Sequence, residues 1–127
     1  MDDEIQEQIN RITIHLMITL SKREKKIARE IIEKGLQIEF AQCLSDADSV
    51  LQNWKDKKTE NRETYHLLYQ TVKNNDKHIG RRYDGMRGSD YILVIAAQLA
   101  DGIISKDDLK EFCEATQNSI LTLAKIK

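Results

Sequence analysis

Proline is absent from this chain of 127 residues, and glycine occurs only five times. A sandwich or barrel needs turn residues between many short strands, so both architectures are excluded. Two cysteines, Cys43 and Cys113, are too few for a disulfide framework. Each lies in a helical pattern beside apolar residues, and we expect small buried thiols in a reducing compartment. A charge excess of one sign is missing too: 20 basic and 21 acidic residues leave a formal net charge of −1. As a whole the chain is neither a strongly basic nucleic-acid binder nor an acidic solvating tail. The longest apolar run, Tyr91 to Ala97, falls far short of the roughly 20 residues that a membrane span requires. Met1-Asp2-Asp3-Glu4 is the reverse of the basic start of a secretory signal, so the expected location is cytoplasmic.

What is present is helical periodicity. Ile5, Ile9, Ile12, Leu16 and Leu20 recur at steps of four and three, which predicts an accessory helix over 1–20. Ser21-Lys22-Arg23-Glu24 has the form of a capping box and restarts the chain as a second helix. That segment, 21–58, carries Ile27, Ala28, Ile31, Ile32 and Leu36, then Phe40, Leu44, Ala47, Leu51 and Trp54. It reads as one long helix or a broken pair, with Gly35 and Ser45–Asp48 as the places for a break. A helix of about 37 residues would span roughly 55 Å, too long for a compact monomer of this size, so we expect a homodimer.

Three shorter helices follow within 59–127. The first starts near Thr59 or Asn61, is expected to bury a stripe of Tyr65, Leu68, Val72, Ile79 and Tyr83, and ends at the glycine-dense stretch Gly80–Gly88. Ser89 caps the second, Asp90 to about Ala100, and Gly102 closes it as the C′ residue. Its run Tyr91–Ala97 is apolar on every side, which marks a central, buried helix. An acid at Leu93 is then expected to cost several kcal/mol. Ser105 with Asp108 caps the last helix, whose inner stripe is Leu109, Phe112, Cys113, Thr116, Ile120 and Leu123. The fold class is therefore all-α, a single homodimeric helical domain.

Few constellations carry chemistry. Asp101–Leu109 imitates a calcium loop, but its first and third ligand positions fall on Ala97 and Leu99, which have no side-chain oxygen. His15, His66 and His78 have no ligand-spaced partners for zinc. No nucleophile elbow, phosphate loop or dinucleotide fingerprint exists, and no catalytic residue, metal site or cofactor is assigned. The most suggestive patch is Lys77, His78, Arg81, Arg82 and Arg87 around Tyr83, diluted only by Asp84. It suits an acidic protein surface or phosphates. Together with Lys22-Arg23-Glu24-Lys25-Lys26 it also defines a nucleic-acid alternative.

His78-Ile79-Gly80-Arg81-Arg82-Tyr83-Asp84-Gly85-Met86-Arg87 is followed by Tyr91–Leu99, and then by Asp101-Gly102-Ile103-Ile104. In order and spacing this stretch, from about Thr64 to Leu123, resembles the fluorescence recovery protein family. The resemblance implies an all-helical homodimer without cofactor and without covalent chemistry. It implies binding to the C-terminal domain of the photoactivated orange carotenoid protein, which speeds return to the resting form and so serves photoprotection. The family's contact patch begins with a tryptophan that aligns with His66. A histidine-aspartate pair falls on Tyr69 and Gln70, and an arginine on Asp76. Tyr83 and Asp84 keep the family motif and are expected to be structural. The expected protein-binding residues are Arg81, Arg82, Arg87, His66 and Gln70. A regulator of the same fold with an unrelated partner is the alternative reading.

Overall fold

The computed structural model describes residues 3–6 and 19–125. Residues 3–6 form one helical turn, and the predicted stripe positions Ile9, Ile12 and Leu16, with His15, lie outside the described residues. The elements are α1 (Lys22–Lys55), α2 (Asn61–Tyr83), a 3-10 turn at Gly88–Asp90, α3 (Tyr91–Ala100), a 3-10 turn at Lys106–Leu109, and α4 (Glu114–Leu123). The all-α expectation holds: the described residues contain no strand. Among them no helix is long and apolar enough to cross a membrane.

The question of one helix or two over 22–58 is answered by a single α-helix of 34 residues. Its start is the predicted one: Ser21 Oγ accepts the Glu24 N–H at 3.1 Å. Its end is a Schellman turn, with Lys58 N–H donating to Asn53 O at 2.8 Å and Lys57 N–H to Trp54 O at 3.0 Å. Lys57 takes the left-handed conformation there, φ 61°, where glycine would be unstrained. Gly102 serves the same role after α3 as predicted, at φ 72°. Ile103 N–H closes that turn on Gln98 O at 2.9 Å.

The chain forms two compact units, residues 1–35 with 86–127, and residues 36–85. This differs from the expected grouping of 59–127 as a three-helix unit, because α2 clusters with the second half of α1. The first unit holds the hydrophobic core. Ile27, Ala28, Ile31 and Ile32 from α1 are buried there, as are Ile92, Val94, Ile95, Ala96 and Leu99 from α3. Ile104, Leu109, Phe112 and Ile120 are buried too. Gln98, fully buried, donates from Nε2 to the Ile32 carbonyl at 3.1 Å.

Four expectations are corrected. Leu93 is 42% exposed, so α3 is not buried on every face and Leu93 is no core position. An all-apolar helix of ten residues has one side left over once its neighbours are packed. The Ser105/Asp108 box caps the short turn Lys106–Leu109, and α4 begins only at Glu114. Ser89 lies inside the 3-10 turn, whose entry is held by Arg87 N–H on Asp90 Oδ2 at 2.9 Å. Cys113 is exposed at the start of α4 and Cys43 half-buried, so neither is the buried thiol expected.

Two carboxylates tie this unit together. Lys34 Nζ lies 2.5 Å from Asp108 Oδ1. The Lys34 bond, followed by the Ser105 N–H, holds the Asp108 carboxyl below its ordinary value against the pull of burial. For Glu24, burial pulls the carboxyl upward, but donors including the Cys113 N–H outweigh it and leave the value lowered. Depressed folded values mean that these contributions are complete at neutral pH and fade as pH falls through the lowered values. Urea midpoints read by circular dichroism are expected to drop between pH 5 and pH 3, and Asp108→Asn to flatten that drop. An equal pH response in Asp108→Asn would refute the assignment to Asp108.

Candidate protein-binding surface

The second unit is an antiparallel helical hairpin made from the end of α1 and α2. Its register is set by polar ties along its length. Trp54 Nε1 donates to Asn61 Oδ1 at 2.7 Å beside the turn. Asn75 Nδ2 reaches Asp46 Oδ2 at 3.4 Å further along. At the far end Glu39, 4% exposed, gathers three side chains of α2. Arg82 Nη1 donates to Glu39 Oε1 at 2.8 Å, and His78 Nε2 sits 2.9 Å from the same oxygen. The Tyr83 hydroxyl donates to Oε2 in a short bond. A buried carboxylate is tolerated only when its lone pairs are met in this way.

The hairpin has almost no interior. Across 36–85 only Glu39 and Thr64 are buried, and no hydrophobic residue is. Phe40, Leu44, Trp54, Tyr65, Leu67, Tyr69 and Val72 are all exposed. The α2 side chains bonded to α1 are polar: Asn61, Asn75, His78, Arg82 and Tyr83. Tyr65 and Val72, expected in a buried stripe of α2, are instead exposed, as are Phe40 and Leu44 in the stripe of α1. The two stripes flank shallow apolar grooves, one lined by Leu51, Trp54, Tyr65 and Leu68, the other by Phe40, Leu44, Val72 and Ile79. Cys43 borders the second groove, and burial, then Asp46 and Glu39, push its thiol value up, which favours the neutral, unreactive form.

The predicted contact residues are divided by this arrangement. His66 and Gln70 are exposed one turn apart on α2. The His66 ring stands edge-on to Tyr65, centroids 6.0 Å apart, and Lys73 Nζ lies 5.7 Å from the Tyr69 ring centre. Arg81 is exposed, but Arg82 is half-buried against Glu39 and is no free contact cation. Arg87 falls in the other unit. Tyr83 bonds Glu39 through its hydroxyl. Asp84 caps α2, its N–H donating to Gly80 O at 3.0 Å. Glu39 was missed in the sequence. Its signal is positional: in a helical hairpin, residues equally far from the turn face each other, which sets Glu39 against the basic end of α2. Among the described residues no three His, Cys, Asp or Glu side chains cluster as metal ligands.

Comparison of the chain with models of known protein families, with curated proteins and with solved structures found no match.

Proposed function

We propose that the chain is a non-enzymatic protein-binding regulator that works as a homodimer through its 36–85 hairpin. The supporting observation is the hairpin's lack of any buried hydrophobic residue beside an exposed apolar face. A stable helical pair needs a covered apolar stripe, and obligate dimer interfaces resemble a core cut in half. A second copy supplies a matching stripe by two-fold symmetry. Sedimentation velocity is expected to give twice the chain mass at micromolar concentration, and Leu44→Asp with Val72→Asp to give the monomer. A parent chain that sediments as a monomer would end the dimer reading.

In this reading the polar side of α2, with His66, Gln70 and Arg81 exposed, is left to meet a protein partner. The resemblance to the fluorescence recovery protein supplies the partner to try first, a carotenoid-binding photoprotein. The chain is mixed with light-activated orange carotenoid protein, and colour is followed in darkness alongside size-exclusion chromatography. Faster return to orange with a co-eluting complex supports this partner. An unchanged rate with no complex removes it and leaves a dimeric regulator with another protein partner.

A further inference from the structure

The first two turns of α1 carry Lys22, Arg23, Lys25, Lys26 and Arg29. The one acid among them, Glu24, is turned inward, 9% exposed, and accepts the Cys113 N–H at 3.1 Å. None of the five cations makes an ion pair among the described residues. Four are exposed and Lys25 is half-buried. Folding adds a sixth cation that is remote in sequence. A Cβ built on Gly88 would stand 3.9 Å from Lys25 Nζ, which brings exposed Arg87, the preceding residue, to the same part of this unit. A whole-chain charge of −1 thus conceals a local surplus.

The arrangement of these cations indicates what they fit. Lys22, Lys26 and Arg29 lie on the face of α1 opposite buried Ile27 and Ile31. At helical rise they are spaced about 6 Å and about 4.5 Å along the axis. Protein interfaces concentrate their energy in buried apolar or aromatic anchors. No large apolar side chain of α1 before Phe40 is exposed, so this face offers none. Single-strand binding stacks bases on aromatic rings, and α1 has no aromatic residue before Phe40. Backbone phosphates of a duplex require neither anchor nor ring, only spaced cations. We propose that the start of α1, joined by Arg87, is a sequence-independent docking face for the phosphate backbone of duplex nucleic acid.

The test is fluorescence anisotropy of the full chain with a labelled duplex DNA of mixed sequence, titrated at 50 and 200 mM NaCl. With three to five phosphates neutralised, log K is expected to fall against log salt with a slope of about −2.7 to −4.5, a loss of roughly 40- to 500-fold between the two salts. Lys26→Ala with Arg29→Ala is expected to reduce that slope by about 1.8. Lys26→Glu with Arg29→Glu is expected to remove binding at 50 mM while thermal melting stays near that of the parent. Lys73→Glu with Lys77→Glu, in the other unit, is expected to bind like the parent. Absence of binding at 50 mM, a parent-like slope in the alanine pair, or binding to polyglutamate but not to the duplex would overturn the proposal.

Discussion

Replacing Glu39 with alanine is expected to lower the unfolding free energy by about 3–5 kcal/mol. The Arg82 side chain is only 11% exposed, and the substitution removes the carboxylate it is paired with. Burying a guanidinium without its counter-charge costs far more than the intact pair returns, which is why one-sided removal is severe. Tyr83 and His78 lose the same acceptor. Glu39→Gln keeps the volume and part of the acceptor capacity, so its loss is expected to be smaller. Glu39→Met combined with Arg82→Met, which removes both charges, is expected to recover most of the deficit. Urea unfolding followed by Trp54 fluorescence reads the hairpin directly, because Trp54 is the only tryptophan and lies in that unit. An alanine variant within about 0.5 kcal/mol of the parent would mean that the cluster contributes geometry and no stability.

Gly35→Ala is expected to destabilise by about 1–3 kcal/mol, the reverse of its usual effect. In an ordinary helix interior, alanine in place of glycine gains about 1 kcal/mol. At position 35 a Cβ would stand 2.2 Å from Gln98 Nε2 and 2.6 Å from Gln98 Cδ. Gln98 has no exposed surface and donates to the Ile32 carbonyl. It must therefore shift within a closed core and give up that bond. Gln98→Ala makes the room that the new methyl needs. The pair Gly35→Ala with Gln98→Ala is expected to be more stable than the two single losses added together, with a coupling of about 0.5–3 kcal/mol in thermal melts. Strict additivity would refute the close approach of α1 and α3 at this glycine.

These two sites mark what the sequence could and could not disclose. Local signals were legible because local chemistry enforces them. Ser21 before Glu24, Gly102 after α3 and Tyr83 at the end of α2 each stand where predicted. Gly35 was read as a possible break, yet it is a contact point, and contacts between distant segments leave no periodic trace. Leu93 looked buried because periodicity gives the polarity of each face and not the number of neighbours available to cover it. Glu39 was passed over because a lone glutamate in a helix has the same sequence signature whether solvated or buried. The basic residues were grouped by sequence proximity, yet Arg82 is paired with Glu39 and is not part of an open patch.

The division of the chain has a consequence for the order of folding. The core-bearing unit is discontinuous, since residues 36–85 are inserted between its two segments. An unstructured insert of that length makes the core's long-range contacts slow to form, because the loop must close before they gain anything. The hairpin consists of contacts across one short turn and can form on the timescale of helix pairing. Once formed it holds the neighbours of Gly35 and Met86 at the same end and shortens the effective loop. Variants at Glu39, which fastens that end, are therefore expected to slow refolding of the other unit's core, whereas variants in the Gly35–Gln98 contact act chiefly on unfolding.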